Sequence, residues 1–172
     1  MLGDVEGTAP VPFKLTTIPS GDAGVAATLR LMVDMVKQYR PNPTIRLTAQ
    51  NGVRGCPERD RACHLRTLQA FVRDGITYLP DVRDVETLQA PTLTLSQGSG
   101  DCDDKAILLA SLLESIGFPT RFCAIGVRGG DFSHVSAQAM LGKSWLNLET
   151  IVPGAPVGWF PPDASCQMLA HV

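Results

Sequence analysis

The sequence lacks the features that define several classes of protein. No apolar run reaches the roughly 18 residues that a membrane-spanning helix needs. Its 15 basic and 17 acidic residues give a net charge of −2, and neither sign clusters, which argues against a nucleic-acid partner or a basic membrane-binding surface. Internal repeats and low-complexity blocks are missing as well. With 172 residues, the chain is long enough for one domain with its own hydrophobic core.

The N-terminal residues 1–8 also lack the basic segment followed by an apolar segment that a secretory signal requires. We therefore expect a cytoplasmic protein whose five cysteines are free thiols rather than a disulfide framework. Cys56 and Cys63, with His64 adjacent, invite a zinc site, but metal sites usually use closer pairs and no second pair completes four ligands. We predict no metal and no other cofactor. Cys123, inside an apolar run, is expected to be a buried apolar side chain.

The pattern of apolar residues predicts helices first and an antiparallel sheet afterwards, which is an α+β fold. The predicted helices and strands are 23–39, 58–74 and 102–116 for the helices and 120–127, 134–141 and 144–149 for the strands. Pro41 and Pro43 are expected to end the first helix. We predict a single domain over 1–172, with an N-terminal extended arm at 1–20 that includes a strand-like segment at 11–18. The core spans about 60–150, and a C-terminal loop and tail covers 151–172.

The most informative stretch is 100–109, which reads Gly-Asp-Cys-Asp-Asp-Lys-Ala-Ile-Leu-Leu. Asp101 is a good N-cap and Asp104 follows three residues later, an acidic version of the capping box. Cys102 then lies in the first turn of a helix, where the partial positive charge and unpaired N–H groups favour thiolate. Cys102 also begins an apolar stripe, so its sulfur should face whatever packs on that helix.

A cysteine nucleophile needs a base within hydrogen-bond reach and a third group to hold that base. His134 begins the second predicted strand, and Glu149 lies in the neighbouring strand. Backbone N–H groups near Cys102, together with Gln97, could stabilise an oxyanion. Each part also has a structural interpretation: Cys102 as an inert buried thiol, Asp101 as a cap alone, and Glu149 as an exposed strand carboxylate.

These residues resemble the transglutaminase-like cysteine protein superfamily, whose fold is papain-like. The nucleophile helix of that family reads G-x-C, then a leucine-rich helix ending in G-[IF]-P-x-R, as residues 100–121 do here. Ser133-His134-Val135 is similar to the start of the family's histidine strand, and 145–149 is similar to its W-x-x-x-D segment. The likeness covers about 68–149. Glu149 departs from it, because the family usually has aspartate there, and Val135-Ser136 replaces the more usual Ala-Trp.

The resemblance implies a Cys102–His134–Glu149 triad that attacks amide or peptide bonds, with a peptidase or amidase expected before a cross-linking enzyme. Gln97, Gly100, Asp101 and Trp145 are the expected oxyanion or substrate-binding residues, and a protein or peptide is the expected partner. Compact members of this length also resemble proteins of tailed phages and prophages, which implies phage structural proteins as partners and a virion as an alternative location. The departures at Glu149 and Val135 leave open a non-catalytic assembly module.

Overall fold

The computed structural model describes residues 17–81, 87–127 and 132–172. The helices of this part are α1 (Gly21–Tyr39), α2 (Pro43–Gly52), α3 (Arg61–Gly75), α4 (Pro91–Gln97) and α5 (Cys102–Ser115). The strands are β1 (Thr77–Tyr78), β2 (Ser99–Gly100), β3 (Thr120–Val127), β4 (Phe132–Leu141), β5 (Ser144–Leu148) and β6 (Ala164–His171). The predicted α+β class is confirmed. None of the helices in the described part is both long and apolar enough to cross a membrane.

Helix α5 is the centre of the molecule. Every residue from Asp103 to Leu113 is buried, because β4 covers one side and α1 to α4 pack around the others. The expected apolar stripe was therefore too narrow, since the whole circumference of α5 is inside the protein. A helix that is apolar on all sides is a typical core helix.

The main sheet has the order β5-β4-β3-β6, and all its neighbours are antiparallel. Strands β3, β4 and β5 match the predicted segments closely. Strand β6 lies in the segment that was predicted to be a loop and tail, and residues from Ala164 onward are alternately half-buried and exposed in the structure. That period of two could have indicated the strand.

Two short helices were also missed, and each begins at a proline. Pro43 starts α2 at the first helical position, where Asn42 caps it by accepting a hydrogen bond from the backbone of Thr44 at 2.9 Å. Pro91 starts α4 in the same way. A proline at this position loses no hydrogen bond and already has a helical φ. Pro43 was expected to end a helix, and that expectation is wrong because it begins one.

The expectation of free thiols is wrong for four of the five cysteines. Cys56 pairs with Cys63, and Cys123 pairs with Cys166 across β3 and β6. Cys102 is the free cysteine. Disulfides are typical of proteins that fold in an oxidising environment. Residues 1–16, which include most of the predicted arm and of its strand-like segment, lie outside the described residues, as do residues 82–86 and 128–131.

Candidate active site

The chain around Cys102 is held by a complete capping box. Asp101 accepts a hydrogen bond from the backbone N–H of Asp104 at 3.0 Å, and the Asp104 carboxylate accepts one from the backbone of Asp101 at 3.3 Å. The Asp104 carboxylate also accepts the backbone N–H of Gln89 at 2.7 Å. A Cβ on Gly100 would lie 2.7 Å from the Cβ of Asp104, so only glycine fits there. These contacts fix the first turn of α5, and with it Cys102.

His134 and Glu149 come together through the pairing of β4 with β5. Ala137 of β4 lies opposite Leu148 of β5. Because the two strands are antiparallel, His134, which precedes Ala137, and Glu149, which follows Leu148, lie at the same end of the sheet. His134 Nε2 lies 2.8 Å from Glu149 Oε2, and Glu149 is fully buried. The Nε2 atom is therefore engaged, and Nδ1 is the ring nitrogen left to exchange a proton with another group.

Glu149 is held as a carboxylate. Burial acts to raise its pKa, but the hydrogen bond and charge of His134 and the backbone N–H groups of Ile151 and Val152 outweigh burial, so the pKa lies below its ordinary value. The Ile151 N–H donates to Glu149 Oε1 at 2.6 Å. The longer side chain of glutamate therefore still reaches the imidazole, which addresses the departure from aspartate noted in the sequence.

Cys102 and His134 line one cavity of about 470 Å³. Its apolar wall is contributed by α1, which presents Val25, Leu29 and Met32. The Pro-rich segment 153–162 contributes no residue to this lining within the described part of the chain. It is tied down elsewhere, through Asn147, whose side chain donates to the carbonyl of Trp159 at 2.8 Å. Among the described residues, that segment therefore does not plug the cavity.

The surroundings of the sulfur favour the neutral thiol. Burial raises the pKa of Cys102, and the nearby carboxylates of Asp103 and Asp101 raise it further. The Cys102 thiol donates to Asp103 Oδ1 at 3.4 Å, and the backbone N–H of Val135 donates to the sulfur and acts in the opposite direction. None of the hydrogen bonds between these described residues joins Cys102 to the His134 ring. Burial and the two carboxylates therefore affect the pKa of Cys102 more than the helix N-terminus does, contrary to the expectation of a thiolate.

Asp101 is more than a cap. Its carboxyl group is almost fully buried and lines the cavity. Burial and the charges of Asp104 and Asp81 raise the pKa of Asp101 to about 7, although the backbone N–H groups that it accepts act to lower it. Asp101 therefore titrates near neutral pH, beside the candidate nucleophile.

Two of the predicted binding residues lie elsewhere. Gln97 is exposed at the end of α4, and among the described residues it is not part of the cavity wall. Trp145 packs at the other end of β5, where the Arg121 guanidinium lies 4.3 Å from its ring centroid and the His171 ring contacts it edge-on. Four residues of strand, about 13 Å, separate it from Glu149. Neither side chain is among the described residues that line the cavity with Cys102.

Two features near Cys102 were not predicted from the sequence. Tyr78, in β1, lies opposite Gly100 of β2. Burial raises the pKa of Tyr78, and the charges of Cys102, Asp101 and Asp103 raise it further. The apolar wall from α1 was missed too. The pattern identifies α1 as a helix with an apolar face, but it does not indicate that part of this face borders a cavity.

Solved structures with a similar fold include two that are described as proteases. A candidate protease from Parabacteroides distasonis superposes with a TM-score of 0.59 at 14% identity, covering 76% of this chain and 26% of that one. A candidate cysteine protease from Cytophaga hutchinsonii gives 0.53 at 16% identity, covering 82% and 53%. LapG from Legionella pneumophila, in an EGTA-treated form, gives 0.52 at 17% identity, covering 79% and 77%. The chain thus spans about a quarter and about half of the first two.

The shared fold defines this chain as an α+β protein of papain-like architecture. The model of the transglutaminase-like superfamily matches residues 48–150, which is more than half of the chain. The chain therefore belongs to the transglutaminase-like superfamily. A comparison with curated proteins gave no match.

Proposed function

We propose that this chain is a thiol-dependent acyl-transfer enzyme that hydrolyses amide or peptide bonds, with Cys102 as nucleophile, His134 as general base and acid, and Glu149 as the group that orients the imidazole. The observation that carries the proposal is the 2.8 Å contact between His134 and the buried Glu149, beside the cavity that Cys102 lines. An acid–imidazole pair next to a thiol is the arrangement that nucleophilic cysteine catalysis requires.

The proposed reaction begins with a carbonyl carbon of the substrate above Cys102. His134 Nδ1 accepts the thiol proton as sulfur attacks, and the imidazolium is stabilised by Glu149. The backbone N–H of Cys102, the first residue of α5, is suited to the developing oxyanion, whereas those of Asp103 and Asp104 donate to Asp101. The protonated imidazole then gives its proton to the leaving amine, and a thioester remains on Cys102. Water, activated by the same imidazole, releases the acid and restores the thiol.

The raised pKa of the Cys102 thiol is compatible with this reaction. A resting thiol needs a base at the moment of attack, so proton transfer to His134 would accompany sulfur attack rather than precede it. A bound substrate displaces water from the 470 Å³ cavity, which strengthens the pull of the imidazole on the thiol proton.

A second candidate function is a transglutaminase-like module that binds a protein without catalysis. The thiol proton that Cys102 donates to Asp103, and the charges that oppose the thiolate, favour this candidate. A third candidate keeps the thioester but resolves it with an amine, which gives cross-linking. Origin in a phage or prophage, phage structural proteins as partners, and a cytoplasmic or virion location stay predictions of the sequence resemblance.

The three candidates separate in one experiment. The purified chain and its Cys102→Ala variant are incubated with a proteome-derived peptide library and biotin-cadaverine, and new termini and biotinylated glutamines are read by mass spectrometry. New peptide termini that need Cys102 support hydrolysis, and Cys102-dependent biotinylation supports cross-linking. Libraries that are unchanged by both proteins contradict catalysis if, in addition, iodoacetamide labels Cys102 no faster than an ordinary exposed thiol.

A further inference from the structure

We propose that Gln69 of α3 is a positioning residue that fixes Glu149, and through Glu149 the imidazole of His134. The inference rests on the proposed function, since it assigns a role within the same site. One buried residue of α3 departs from the apolar pattern of its face. The buried face of this helix is apolar at Leu65, Leu68 and Val72, but the equally buried residue beside them is a glutamine that is only 2% exposed. A fully buried amide needs a specific partner to offset its desolvation.

The partners of Gln69 are two carbonyl groups of the segment that follows β5. Its Nε2 donates to the carbonyl of Glu149 at 3.0 Å and to the carbonyl of Ala155 at 3.2 Å. These residues begin and end the segment 149–155, so one side chain holds both ends of it. A primary amide nitrogen carries two N–H donors and is neutral, which suits it to two buried carbonyls. Within that segment, Ile151 donates to Glu149 Oε1 at 2.6 Å.

Helix α3 is in turn connected to the helix that carries Cys102. Lys105 of α5 is only 2% exposed, and its ammonium donates to the carbonyls of Arg73 at 3.1 Å and Ile76 at 2.7 Å, at the C-terminal end of α3. The side chain of Arg73 donates to the carbonyl of Ala155 at 2.6 Å. The nucleophile helix, α3 and the segment after β5 thus form one hydrogen-bonded frame, in which Gln69 is the contact with the backbone of Glu149.

Gln69 acts in this frame without a direct contact with substrate. Its side chain is not among the described residues that line the cavity. Loss of its two hydrogen bonds would let the segment 149–155 shift, and the carboxylate of Glu149 would shift with it. Because proton transfer depends steeply on geometry, a displacement of about 1 Å can reduce a rate by about a hundredfold. The effect should therefore appear in kcat and in the His134 hydrogen bond, and much less in KM.

The test compares Gln69→Met, which keeps the volume but has no donor, with Leu68→Val, which loosens the packing of the same helix and leaves the segment 149–155 bonded. Gln69→Asn, whose amide is one methylene shorter, serves as a second variant if the methionine protein does not fold. The first readout is the ring N–H resonance of His134 in ¹⁵N-histidine-labelled protein, assigned with His134→Gln. The second is the rate at which iodoacetamide alkylates Cys102 between pH 6 and 9.

We expect the His134 N–H resonance to move upfield, or to be lost by exchange with water, in Gln69→Met and to be retained in Leu68→Val. Alkylation of Cys102 should slow about tenfold or more in the first variant alone, with a changed pH profile. An unchanged resonance in Gln69→Met, or the same change in both variants, overturns the positioning role. If the wild-type thiol is unreactive, the proposed function fails, but the resonance still decides the role of Gln69.

Discussion

Replacing Asp103 by asparagine should make Cys102 more reactive. The thiol donates to Asp103 Oδ1 at 3.4 Å, and this carboxylate, after burial, is the largest contribution that raises the pKa of Cys102. At that distance, two unit charges in an effective dielectric of 20 repel by about 5 kcal/mol, or about 3.5 pKa units. Solvent and counterions reduce this, and a neighbouring like charge commonly shifts a pKa by about 1–3 units.

A lower pKa increases the thiolate fraction about tenfold per unit, but the thiolate also becomes less nucleophilic, with a Brønsted coefficient of about 0.4–0.5. The net gain in rate is therefore about threefold per unit, or about 3- to 30-fold in all. The assay is the release of thionitrobenzoate from Ellman's reagent, followed from pH 7 to 9 on folded protein. Cys102→Ser should abolish the signal, since Cys102 is the free thiol.

The matched control is Asp81→Asn. Asp81 lines the same cavity and carries the same charge, but its carboxylate accepts hydrogen bonds from the backbone and hydroxyl of Thr87 rather than from the sulfur. We expect this variant to react nearly as the wild type does. An Asp103→Asn protein that reacts no faster than the wild type, or a gain of equal size in both variants, would refute the electrostatic reasoning.

Three further predictions concern the groups around the site. Glu149→Gln should lower the free energy of unfolding by about 1–3 kcal/mol at pH 7, measured in urea. Because the pKa of Glu149 in the folded protein lies below its ordinary 4.5, the carboxylate stabilises the fold above that pH and loses this effect as the pH falls through the folded pKa. The difference in stability between the variant and the wild type should therefore vanish in acid. An equal difference at all pH values would contradict this. The ionisation of Asp101 changes stability with pH in the opposite direction. Its pKa is raised from 3.8 to about 7, so the folded state binds more protons than the unfolded state between these pH values. Stability therefore declines as the pH rises through this range. Asp101→Asn, an equally good cap, should lose that decline in urea titrations at pH 5 and 8, and a retained decline would point to another group. Finally, non-reduced protein should titrate one thiol, and the double variant Cys123→Ala, Cys166→Ala should be less stable by about 2–4 kcal/mol; titration of three or five thiols in the native state would contradict the disulfide assignment.

Much of the site was predictable because local signals are strong there. Asp101 and Asp104 encode the start of α5 through the capping box, which needs only residues three apart. The predicted strands around His134 and Glu149 match β4 and β5, since alternation and turn residues act over a few positions. Glu149 departs from the aspartate that is usual in the family, and the structure nevertheless shows its hydrogen bond to His134.

Other features depend on contacts between distant segments. Trp145 was expected in the site because it precedes Glu149 in a family-like motif. In the structure its ring contacts Arg121 and His171, and it is not among the described residues that line the cavity. The pairing of Cys123 with Cys166 follows from the register of β3 and β6, and a short apolar run around Cys123 contains no information about that register. The hydrogen bonds of Gln69 were not predicted for the same reason, because its partners lie 80 and 86 positions away in the chain.

Local sequence patterns were enough to predict the α+β class, the capped helix that begins at Cys102, the strand that carries His134 and the strand that ends just before Glu149. These follow from interactions between residues that are close in the chain. The raised pKa of the thiol, the contact between His134 and Glu149, and the disulfides depend on tertiary contacts. The pKa of Cys102 depends on its burial and on how near Asp103 and Asp101 lie, and the packing of α5 between the other helices and the sheet sets its burial. Helix position favours a thiolate, but burial and charge outweigh it.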